Sequence, residues 1–273
     1  GGRRIIKNKR AGGAGGQGGK GGAGSAGGGG NCEPGNLSPE ELLAPIEHIV
    51  VLCLENRSFD HYLGGSLGLL EMRPDIAGLD GSETTPHPDG GTVPVHHMTN
   101  LEPDDPPHSW NAVHAQHNGG ANDGFVAAWI DDGAGPDETQ VMGYYSRDEV
   151  PIHHALADAY AVCNHYHCSV LGPTWPNRFY LHGATAEGKK DNTPIFGGFE
   201  EIFERLKDAG HTVRIYHHGA PWCSVAYFKS SDLAEFDEFK SDALTGNLPS
   251  FSIIDPQFFG GGANDDHPNN ANV

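Results

Sequence analysis

The stretch Ile49-Val50-Val51-Leu52-Cys53-Leu54, running into Glu55-Asn56-Arg57-Ser58-Phe59-Asp60-His61, decides how the fold is read. Its first six residues are apolar, rich in β-branched side chains and bounded by polar ones. Such a run reads as a strand buried on both faces of a parallel sheet. Glu55 and Asn56 then fall where the strand ends, the place at which open α/β sheets bind ligands.

Outward from this strand, helix and strand patterns alternate. Ser38-Pro39-Glu40-Glu41 offers a capping residue, a proline at the first helical position and early acids, so a short helix is expected there. Residues 123–130 and 151–159 read as helices, and 161–163 as a second strand leading toward Thr174. Residues 199–209 carry apolar side chains at 199, 202, 203 and 206 with charges between them, and Gly210 follows as a stop. Strands are expected at 213–216 and 251–254, the latter cut off by Asp255-Pro256. Residues 71–107, rich in Pro, Gly and Asp, read as a long irregular surface excursion. The alternation points to an α/β layered domain, and no internal repeat is visible.

Residues 1–36 stand apart as a glycine-rich, low-complexity tail or linker, leaving 37–273 as the folded part. Gly1-Gly2-Arg3-Arg4-Ile5-Ile6-Lys7 resembles a twin-arginine export signal; the rival reading is a flexible tail. The formal net charge is −19. Residues 1–31 hold six of the 17 basic side chains and no acidic ones, so the remainder carries 11 basic against 36 acidic residues. That body repels nucleic acid, whose binding needs Lys and Arg to neutralise phosphates. No apolar stretch approaches the roughly 20 residues of a membrane span. Five cysteines with no CxxC pair make zinc–thiolate chemistry a poor expectation; Cys53 reads as an inert buried hydrophobe.

The chemistry carriers fall into two segments. Glu55 and Asn56 offer oxygen ligands suited to a hard divalent cation, or they pair with Arg57 and cap a turn. Thr174, in Gly172-Pro173-Thr174-Trp175-Pro176-Asn177-Arg178, is a turn hydroxyl or a nucleophile at a helix start, where unpaired N–H groups favour anions. The two segments explain each other: a cation beside an activated hydroxyl is the equipment for attacking a phosphate ester. His108 and His267, both in acidic company, can protonate a leaving oxygen or bind phosphate. Asn177 lies just past Thr174, and Arg178 can grip a phosphoryl oxygen bidentately or pair with an acid of the fold.

At these residues the sequence resembles the bacterial phosphoesterase family that includes non-haemolytic phospholipases C and related acid phosphatases. The resemblance runs through residues 46–52 and 55–64, His108-Ser109-Trp110, Asn122-Asp123-Gly124-Phe125, Met142-Gly143-Tyr144-Tyr145 and residues 166–178. It implies an alkaline-phosphatase-like three-layer α/β/α fold with a mostly parallel sheet. It implies hydrolysis of phospholipids such as phosphatidylcholine, with acid-phosphatase action on soluble monoesters as the alternative. By position, Glu55 and Asn56 become ligands of a divalent metal ion, Thr174 the nucleophile, and His108 and His267 active-site histidines. The membrane enters only as substrate, and an extracytoplasmic (secreted or periplasmic) location follows from the exported relatives. Relatives continue well past the position matching Val273 and bring further carboxylate ligands there. The chain is therefore expected to be the N-terminal part of a longer phosphoesterase domain with an incomplete metal site, weakly active or non-catalytic alone.

Overall fold

The computed structural model describes residues 38–258 and 260–268. The glycine tract and its export-signal resemblance lie outside them. The chain divides into two units, Gly1–Pro45 and Ile46–Val273. In the first, helix α1 (Pro39–Leu43) has the expected start: Ser38 Oγ accepts from the Glu41 N–H at 3.2 Å, and Glu41 accepts from the Ser38 N–H at 2.8 Å. This reciprocal pairing satisfies two donors that a helix start leaves open.

The second unit opens with β1 (Ile49–Leu52) and a π-helical segment, Asp60–Leu70. Three short strands follow, β2 (Thr84–Pro86), β3 (Thr92–Pro94) and β4 (His96–His97), then α2 (Trp110–His117) and α3 (Phe125–Asp132). Strand β5 (Gly143–Tyr144) leads to α4 (Pro151–Ala159) and α5 (Thr174–Gly183). The remaining elements are α6 (Ile202–Asp208), β6 (Val213–His217), α7 (Trp222–Ala226), β7 (Leu233–Glu235), α8 (Phe236–Thr245) and β8 (Phe251–Asp255).

The central sheet runs β1-β8-β6-β7, every pairing parallel. Strand alternation sorts its side chains onto two faces. Val213 and Ile215 of β6 and Ile253 of β8 pack with Phe179 of α5, Phe203 of α6 and Trp222 of α7. Tyr216 and Ile254, the next residues along, turn the other way and meet Phe236 and Phe239 of α8. Helices thus cover the sheet from both sides, the three-layer α/β/α arrangement expected from the sequence.

Two expectations are corrected. β1 is not buried on both faces: Ile49 is 52% and Leu52 57% exposed, and only Val51 packs into the core. β1 is an edge strand, with β8 on one side and no strand of the described residues on the other. An apolar run shows that a strand can be buried; a second neighbour has to bury it. Residues 161–163 form no strand and lead to Thr174 as irregular chain. The 71–107 excursion also holds more order than its composition suggested: β2 pairs antiparallel with β3 across a turn at Gly90 and Gly91, both at positive φ.

Candidate active site

The carboxyl ends of β1 and β8 set the position of the site, as open parallel sheets require. Past β1 the chain turns sharply. Asn56 adopts φ +56°, a left-handed conformation that asparagine tolerates better than most residues. The turn presents Glu55 and Asn56 toward the start of α5. There Thr174 is the first helical residue, behind Pro173, and its Oγ1 lies 3.4 Å from Asn56 Oδ1. The next N–H of the helix, that of Trp175, donates to Asn192 Oδ1 at 2.9 Å.

Arg178, one turn into α5, is 3% exposed and reaches back under β1. Its Nε donates to Glu55 Oε1 at 2.8 Å, one Nη to the Cys53 carbonyl at 3.0 Å, and the other lies 3.5 Å from Asp255 Oδ1. Burial raises the Glu55 carboxyl above its ordinary range, and Arg178 pulls against that shift. Burial likewise raises Asp255, which also accepts the Trp222 N–H at 2.9 Å. Asn177 spends its amide on the preceding loop: Nδ2 donates to the carbonyls of Val170, Gly172 and Pro173, and Oδ1 accepts from the Val170 N–H. Asn177 and Arg178, expected to contact substrate, use these polar groups to shape the loop and hold Glu55, and both also line the groove that opens at Thr174.

His108 and His267 come together as an edge-to-face pair with ring centroids 5.5 Å apart. Between them sits Asp105, its Oδ1 3.4 Å from His108 Nδ1 and 3.9 Å from His267 Nε2. His108 Nδ1 donates to the Pro106 carbonyl at 2.8 Å. The Asp105 carboxylate, offset in part by burial, holds the His108 imidazole up at about 9, so it stays cationic at neutral pH. One donor atom from each of Asp105, His108 and His267 lies within 4.8 Å of the others, a cluster that could hold a metal ion only with His108 deprotonated. A cavity of about 410 Å³ joins the two groups: Glu55, Thr174, Trp222, Asp265, His108 and His267 all line it. A larger groove of about 1010 Å³ opens beyond Glu55, Asn56 and Thr174, walled by His165, His167 and Cys168.

Sequence reasoning missed Asp105 and Asp255. Asp105 stands three residues before His108, a spacing that signals an ion pair. Asp255 was read only as a strand stop.

Residues 46–273 match the phosphoesterase family. The chain belongs to that family. The chain is 36% identical over 199 residues to "Phospholipase C A" of Mycobacterium tuberculosis, covering 64% of the chain and 38% of that protein. It is 32% identical over 259 residues to "Non-specific phospholipase C3" of Arabidopsis thaliana, covering 83% of the chain and 49% of the relative. With "Non-hemolytic phospholipase C" of Burkholderia pseudomallei the identity is 34% over 194 residues, 63% of the chain and 26% of the relative. The chain thus spans about half or less of these relatives' length. Among its described residues, no helix is long and apolar enough to cross a membrane.

Proposed function

We propose that this polypeptide carries the nucleophile-bearing part of a metal-dependent phospholipase C, with Thr174 as nucleophile. The observation that supports this most is the approach of Thr174 Oγ1 to Asn56 Oδ1, 3.4 Å between residues 118 positions apart, at the rim of a cavity shared with two histidines. The names of the relatives supply the reaction class.

The donor set fits a hard divalent cation. Glu55 is a largely buried carboxylate whose burial disfavours its charge, and Asn56 and Thr174 add neutral oxygens beside it. Such an ion, when bound, lowers the pKa of a hydroxyl and draws charge from a phosphoryl oxygen. Arg178 and Asp255 hold Glu55 in place. Thr174 releases its hydroxyl proton to solvent, its Oγ1 attacks phosphorus in line, and the bond to the glycerol oxygen breaks. That oxygen takes a proton from the His108–His267 side, where His108 is cationic at neutral pH. Water then opens the phosphothreonine and releases the phosphorylated headgroup.

The test is to quench turnover of phosphatidylcholine in acid and map phosphorylation by mass spectrometry. Phosphate on Thr174 is expected, and Thr174→Ala should cut kcat/KM by at least about a thousandfold. Undiminished hydrolysis by Thr174→Ala removes Thr174 from the mechanism.

A further inference from the structure

Two segments that meet beside the cavity leave an apolar ridge on the surface. The Ile195 N–H donates to the Ala226 carbonyl at 2.9 Å, bringing the 195–196 strip against the end of α7. Ile195 and Ala226 face inward and belong to the buried core. Their neighbours face outward: Phe196 is 74%, Phe228 56% and Val225 49% exposed. The Phe196 and Phe228 rings pack on each other at 5.3 Å between centroids, with 33° between planes. Val225 also lines the cavity that holds Glu55, Thr174 and His267, so the ridge continues into the wall of the site.

The backbone keeps these rings outside. Phe228 sits at φ +63°, a left-handed conformation that is an outlier for a bulky residue and persists only where its surroundings impose it. Gly197 and Gly198, both at positive φ, turn the chain directly after Phe196. Burial of two phenyl rings in a neighbouring phase recovers the apolar area this arrangement leaves in water.

We propose that Phe196, Val225 and Phe228 form the surface by which the protein docks on a zwitterionic phospholipid bilayer. Charge selects the lipid class. Beyond residues 1–31 the chain sets 11 basic against 36 acidic side chains, a balance that opposes approach of this face to an anionic surface and gives a neutral one no electrostatic pull. Attachment is therefore apolar and insensitive to salt. Phenyl rings at the rim can bury into the boundary between headgroups and acyl chains and set the cavity mouth against the phosphoesters it would cleave. The docking surface gains its purpose from the phospholipase reading above, although its binding is measurable without turnover.

The experiment sediments the protein with phosphatidylcholine vesicles and, separately, with phosphatidylglycerol vesicles, at low and high salt. Hydrolysis of a soluble aryl phosphocholine ester is followed in parallel. Wild type is expected to bind phosphatidylcholine equally at both salt concentrations and to bind phosphatidylglycerol less. The Phe196→Ser, Phe228→Asn double variant should lose about tenfold in partitioning for each ring removed, with soluble-ester hydrolysis within about twofold of wild type. Asn at 228 retains the left-handed backbone. A Phe196→Trp variant gives a direct readout: the emission it adds to that of wild type should shift to the blue on vesicle addition. Undiminished partitioning of the double variant, an unshifted emission from the introduced indole, or binding that needs anionic lipid and vanishes in salt would overturn the proposal. Vesicle binding by a protein that never carries phosphate on Thr174 after exposure to substrate would sink the Thr174 reading and leave the ridge standing; phosphorylation of Thr174 without vesicle binding would do the reverse.

Discussion

Arg178 holds Glu55, Asp255 and the Cys53 carbonyl at once from a side chain 4% exposed, with its guanidinium 4.8 Å above the Phe258 ring. Removing one partner of a buried ion pair leaves the others charged in low dielectric, a loss of about 3–5 kcal/mol. Arg178→Met keeps the stem and should lower stability by that amount, read as a shift of the urea midpoint. Arg178→Lys should recover only part, because a point charge cannot span three acceptors; full recovery would contradict the bridging role. At His108 the argument concerns protons. Asp105 holds the imidazole up at about 9 against an ordinary value of 6.5. A histidine that gives its proton to the leaving oxygen works only below its pKa, so activity should fall as pH rises through about 9. Asp105→Asn should move that alkaline limb toward 6.5, and a limb unmoved by the substitution would exclude His108 as the donor.

At the scale of elements, β1 differs most from its reading. Its outward positions, Ile49, Val50 and Leu52, are exposed along an edge whose backbone groups no described strand takes up. Exposed apolar edges pair with other chains, and a lysine on them blunts the pairing. Val50→Lys should reduce the self-associated fraction seen by light scattering while changing stability by less than about 0.5 kcal/mol. Val51→Lys, aimed into the core, should instead prevent folding. Identical scattering from wild type and Val50→Lys would argue against an adhesive edge. The same strand shows what was legible. Periodicity fixed α4 at Pro151–Ala159 and located β6 and β8 within a residue, because each has the alternation or amphipathic stripe that burial demands. The meeting of Glu55, Asn56 and Thr174 was foreseen from residue chemistry and family resemblance together. The three-way engagement of Arg178 and the edge position of β1 were not, because both are set by chain distant in sequence: Asp255 for the first, and for the second the strands of the described residues, of which only β8 lies beside β1. The π-helical turn at Asp60–Leu70 also left no periodic signal, since Gly64, Gly65 and Gly68 dilute its apolar pattern.

Seventeen histidines in an acidic chain give the whole molecule a particular pH response. His182 is 0% exposed; its Nδ1 shares a hydrogen bond with the Tyr227 hydroxyl at 2.9 Å, and its Nε2 is buried without a partner among the described residues. Burial, reinforced by Arg178 and Lys229, pushes it down to about 3. His61 is held down to about 4, chiefly by burial, and its Nε2 accepts from Arg57, which requires a neutral ring. For both groups the folded value lies below the unfolded one near 6.5. Their stabilising contribution is therefore complete above 6.5 and drains as pH falls, because the unfolded chain takes up protons that the folded chain refuses. Each group costs up to about 1.4 kcal/mol per pH unit in that window. Buried carboxylates with raised values, Glu55 and Asp255, push the other way at lower pH, so the raw profile mixes signs. A difference measurement separates them. The stability gap between wild type and His182→Gln, from urea unfolding at pH 7, 6, 5 and 4, should shrink on acidification by about 1.4 kcal/mol per unit below 6.5, since the glutamine has no proton to refuse. A gap that stays constant from pH 7 to 4 would mean His182 takes its proton in the folded protein as readily as in the unfolded one.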